Sequence, residues 1–127
     1  MNKVKTITST VVFLALAGLF APAVQAGEAD VVGVHVSKAL NGTYEFDVAV
    51  AHADQGWDHY ADGFDVVAPD GKVLAHRVLA HPHVNEQPFT RSIRNVKIPK
   101  DIGFVTVRAH DKIHDLGGKS MRVEMHP

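Results

Sequence analysis

Short stretches in which apolar side chains recur at every second residue, separated by turn-forming residues, constrain this chain more than any other feature. Val32, Val34 and Val36 alternate with Gly33 and His35, and the run stops at Asn41-Gly42, a pair that tolerates the positive φ of a tight hairpin turn. Tyr44, Phe46, Val48 and Val50 alternate with Glu45, Asp47 and Ala49. A third stretch, 60–68, closes at Pro69-Asp70-Gly71, and a fourth covers 72–80. A fifth, 89–98, is stopped by Pro99; its apolar parity changes between Phe89/Ile93 and Val96/Ile98, which predicts a bulge near Asn95. The sixth carries Val105, Val107 and Ala109 on one face and Thr106, Arg108 and His110 on the other, and a last stretch, 119–125, follows Gly117-Gly118. No segment shows a sustained helical period. Seven strands of this kind predict an all-β, seven-stranded antiparallel sandwich.

Residues 1–26 have a different pattern. Lys3 and Lys5 give a positive start, 11–20 is almost wholly apolar, Pro22 breaks the run, and Val24-Gln25-Ala26 offers the small side chains read by a signal peptidase. The apolar stretch is shorter than the ~20 residues of a spanning helix. The pattern predicts a signal peptide over 1–26, a mature domain over 27–127 starting at Gly27, and a periplasmic or secreted location with no membrane attachment after cleavage. The chain has no cysteine, so neither a thioether lipid anchor nor a disulfide is open to it, and its core must supply stability alone. A 127-residue chain with 46% hydrophobic and 21% charged residues leaves no room for several domains and has no basic excess for nucleic acid. One monomeric domain is expected.

The segment Ile98-Pro99 through Phe104-Val105-Thr106-Val107-Arg108-Ala109 resembles the turn and sixth strand of immunoglobulin or fibronectin-III type sandwiches. With Pro88-Phe89-Thr90-Arg91-Ser92, the mature chain also resembles small exported bacterial proteins of no settled function. The resemblance implies the fold and export, and no activity. This sequence departs from the sandwich pattern in having no disulfide pair and in placing Phe104 near the position of a corner tyrosine; Trp57 is expected at the edge of the core. Periplasmic copper-resistance proteins are more distantly similar in fold class, but Gly27-Glu28-Ala29 has no histidine at the first or third place, so their N-terminal histidine mode is absent.

Nine histidines are the unusual feature of the composition. If strand directions alternate, three loops fall at one pole: that holding His52, Asp54, Trp57, Asp58 and His59; that holding His81-Pro82-His83 and Glu86; and that holding His110, Asp111, His114 and Asp115. His35, His76 and His126 lie elsewhere and suit plain surface roles. In extended backbone residues two apart point the same way, so His81 and His83 could face one ion, with His110 as a third imidazole and Glu86, His114, His52 and His59 as auxiliaries; Asp111 or Asp115 would orient a ring nitrogen. Such ligands suit Cu(II) or Zn rather than Ca or Mg. No catalytic motif accompanies them: Ser37, Ser92 and Ser120 lie in no nucleophile elbow. The alternative is a metal-free periplasmic interaction or adaptor module that binds a protein partner and responds to pH through its histidines.

Overall fold

The computed structural model describes residues 27–125, which form seven strands and no helix. The expected leader and His126 lie outside the described residues, and no described helix is long and apolar enough to cross a membrane. The strands are β1 (Asp30–Lys38), β2 (Tyr44–Ala51), β3 (Ala61–Val67), β4 (Val73–Val78), β5 (Phe89–Val96), β6 (Phe104–Asp111) and β7 (Met121–Glu124). They build two antiparallel sheets, β1-β2-β5 and β4-β3-β6-β7.

Alternation decides what each sheet buries. Phe46, Val48 and Val50 of β2 turn inward and meet Phe64 and Val66 of β3, Phe89 of β5, and Val105, Val107 and Ala109 of β6 in one apolar cluster. The hairpin between β1 and β2 closes at Gly42, whose φ of 88° is one that L side chains rarely adopt, and the side chain of Asn41 accepts from the Thr43 amide at 3.1 Å. In β5 the expected irregularity is present: Tyr44 faces Val96 while Phe46 faces Ile93, so two steps on β2 are matched by three on β5, and Asn95 takes up the extra residue at φ 59°.

The alternation that fills the core also aims the ends of the strands. Continuing the parity of Phe46, Val48 and Val50 by two residues brings His52 to the inner side just beyond β2. Continuing Val105, Val107 and Ala109 brings Asp111 to the inner side at the end of β6. Both are buried, and they meet at the same pole.

Candidate metal centre

The three loops expected at one pole do converge there. The amide of His83 donates to Asp54 Oδ2 at 2.6 Å, Gln87 Oε1 accepts from the His52 amide at 2.9 Å, and the Lys112 amide donates to the Tyr60 carbonyl at 3.1 Å. A fourth segment joins them. The start of β1 is held against the residues ahead of β7 by Val31 N–H to the Lys119 carbonyl (2.8 Å) and Lys119 N–H to Asp30 Oδ1 (2.7 Å), and Gly27 lies over the pole.

At the centre, His52, His59 and Asp111 each offer a ligand atom, all within 4.8 Å of one another and all on buried residues. His52 Nε2 lies 3.3 Å from His59 Nε2 and 3.0 Å from Asp111 Oδ2; His59 Nε2 is 3.4 Å from the same oxygen. The Gly27 carbonyl oxygen sits 3.2 Å from both imidazole nitrogens. His114 completes the rim, its Nδ1 3.1 Å from Asp111 Oδ2 and its ring 5.1 Å from that of His59.

Hydrogen bonding behind these atoms fixes one proton on each ring. Asp54 already accepts from the amides of Ala61 (3.1 Å) and His83, so its 2.5 Å contact with His52 Nδ1 requires that nitrogen to donate. His59 Nδ1 likewise donates to Gln55 Oε1 at 3.2 Å. In the neutral rings both Nε2 atoms then present lone pairs to each other, to a carboxylate oxygen and to a carbonyl oxygen. Two imidazole lone pairs and a carbonyl oxygen then crowd Asp111 Oδ2, to which only the His114 ring can offer a proton, in surroundings where such repulsion is poorly screened. A cation there removes the conflict. The arrangement also meets the rule that a metal-binding histidine donates its other nitrogen to a carboxylate or carbonyl.

Asp111 divides its labour. Oδ1 accepts from the amides of Ile113 (2.9 Å) and His114, which shapes the turn after β6, while Oδ2 faces the imidazoles. Burial alone would raise its carboxyl; the His114 amide and ring, the Ile113 amide and nearby His52 outweigh burial and hold it below its ordinary value of 3.8. It is therefore an anionic oxygen donor at neutral pH.

The other residues expected at the site have different partners. His81 and His83 do share one side, their ring centroids 4.7 Å apart. His83, however, is stacked on Phe89 at 3.9 Å, and Arg91 donates to its Nε2 at 3.0 Å, which occupies the lone pair a metal would need. Burial, then Arg91 and His81, lower its proton affinity below the ordinary 6.5. Glu86 pairs with Arg91 at 3.2 Å. His110 lies on the outer face of β6, where its Nδ1 contacts Asp62 and its Nε2 lies 3.2 Å from Asp115. The primary trio of His81, His83 and His110 is thus not gathered among the described residues. Two of the expected auxiliaries, His52 and His59, form the group, with His114 at its edge and Asp111 as a candidate ligand rather than an orienter. The signal for Asp111 was available in the strand parity; Gln55 and Gly27 had none. Trp57 is 66% exposed and edge-on to Tyr60, so it is a loop residue and not a core-edge one.

No family model and no solved structure matches the chain. It is 40% identical over 97 residues to a protein of Halomicrobium mukohataei named "Putative lipoprotein", over 76% of this chain and 47% of the relative. The chain thus spans about half the length of the curated relative it matches.

Proposed function

We propose that this protein is an exported β-sandwich that binds one divalent transition metal, Cu(II) or Zn, through His52 Nε2, His59 Nε2 and Asp111 Oδ2, with His114 as a further ligand. The observation that carries the reading is the pair of Nδ1 donor bonds, to Asp54 and Gln55, which turn both Nε2 lone pairs onto a buried carboxylate oxygen. Two imidazoles and one carboxylate fit the nitrogen-rich donor sets of these ions and leave room for a further ligand. Export is supported by the leader-like 1–26 and by the name of the Halomicrobium relative, which fits an exported or membrane-attached protein. The pairing of β4 with β3 rather than with β5 supports the fibronectin-III version of the sandwich.

A second reading rests on the same atoms. His52 lies between two buried carboxylates, Asp54 and Asp111, so an imidazolium there would be paired on both nitrogens. That arrangement favours a metal-free module sensitive to pH.

Calorimetric titration of the metal-stripped protein with Zn and with Cu(II) separates the two. The metal reading expects saturable one-to-one binding that is lost in His59→Ala and retained in His81→Ala. Absence of saturable binding to the unaltered protein rejects it and leaves the pH-sensitive module.

A further inference from the structure

Residue 27 is the part of the centre that the metal reading does not use. Its carbonyl oxygen is as close to the two Nε2 atoms, 3.2 Å from each, as they are to one another. A Cβ on residue 27 would stand 3.1 Å from both Cε1 and Nε2 of His114, so any larger residue would have to push that ring aside by a few tenths of an ångström. The approach is held in place downstream. Ala29 is 1% exposed, and the backbone of Gly118 passes so close that a Cβ there would fall 2.0 Å from the Ala29 carbonyl oxygen. Gly27 is also the first residue after the leader pattern of the sequence.

We infer that export completes this centre: hydrolysis of the Ala26–Gly27 bond frees the α-amine of Gly27, which joins His52, His59 and Asp111 as a metal ligand. The inference rests on the metal reading above and adds to it a ligand and an order of events. In the hydrolysis water supplies a hydroxyl to the Ala26 carbonyl carbon and a hydrogen to the Gly27 nitrogen. The nitrogen changes from an amide, whose lone pair is delocalised into its carbonyl, to a primary amine with a lone pair free to bind. The amine nitrogen and carbonyl oxygen of one glycine close a five-membered ring on a metal, and the carbonyl already points into the cluster. Three nitrogens and a carboxylate favour Cu(II) over Zn more than two nitrogens do. The leader-bearing precursor lacks the amine, so it binds Cu(II) more weakly and the metal is taken up after translocation.

The test exports the full chain with its own leader, alongside a form with Ser-Glu inserted between Ala26 and Gly27. Intact mass fixes each N-terminus, and both metal-stripped proteins are titrated with Cu(II). The inference expects a native mass beginning at Gly27 and binding at least about tenfold weaker in the extended form, since even changes behind the ligands cost that much. Asp111→Asn should abolish binding in both. Equal affinities overturn the amine ligand while leaving the metal centre standing; no binding by the native form removes both; a mature protein beginning elsewhere overturns the inference. A second measurement needs no variant. Cu(II) electron spin-echo spectra of the exported protein labelled with ¹⁵N-glycine should show coupling to a directly bound amine ¹⁵N, and its absence overturns the proposal even if the extended form misfolds.

Discussion

Asp54 is the residue through which the loops and the proposed metal centre depend on one another, and Asp54→Asn tests that dependence. Its two oxygens accept from Ala61 N–H, His83 N–H and His52 Nδ1–H, and nothing in the contacts calls for a donor. Asparagine keeps the shape but replaces one oxygen by NH2. Facing His83, the NH2 meets an N–H donor 2.6 Å away; facing Ala61 and His52, it meets two donors. In the first orientation one bond to a charged acceptor is lost, which costs about 1.5–3 kcal/mol. A domain of this size melts roughly 4–8 °C lower per kcal/mol, so a fall of roughly 6–24 °C is expected in EDTA. In the second orientation NH2 donates to His52 Nδ1, the ring proton moves to Nε2, and the ligand lone pair is lost. Metal affinity should therefore fall about 10–100-fold even where the fold survives. Thermal melts in EDTA and calorimetry with Zn read the two effects separately. A melting temperature within about 2 °C of the unaltered protein together with unchanged metal affinity would refute the reasoning.

Two other outcomes follow from contacts away from the ligands. Burial works against the charge on His110, but Asp62, with Asp115 and Asp65, outweighs it and raises its proton affinity above the ordinary 6.5. A raised folded value adds stability below the unfolded value and loses it as pH rises through the folded one. In urea denaturation with EDTA, His110→Gln should therefore cost more at about pH 5.5 than at about pH 9, and a cost independent of pH contradicts the assignment. Gly118→Ala places a methyl 2.0 Å from the Ala29 carbonyl, so the segment leading to Gly27 must move; we expect a loss of about 1–3 kcal/mol and weaker metal binding, read by urea denaturation and calorimetry. Unaltered stability would mean that the two segments do not pack as described.

Much of this architecture is legible in the alternation of side chains. The seven strands fall close to their expected places because each must hide one face, and the parity change in 89–98 is a real bulge at Asn95. The pole is legible as well, since it follows from alternating strand direction. Which histidines meet there is less so. The same parity that sets Val105, Val107 and Ala109 inward sends Asp111 inward and His110 outward, yet the local pattern His81-Pro82-His83 draws attention because its rings are near neighbours. Nearness to each other is not nearness to a third ligand. His83 is stacked on Phe89 and bonded to Arg91, partners whose approach depends on how the β4–β5 loop packs against β5. The closeness of Gly27 depends on the β6–β7 loop, almost 90 residues away. No periodicity in the chain encodes either contact.

The most direct trial of the metal centre is anomalous diffraction from crystals of the exported protein soaked with Zn. One peak about 2.0–2.2 Å from His52 Nε2, His59 Nε2 and Asp111 Oδ2 is the predicted result. A peak between His81 and His83, or none at the pole, would contradict it.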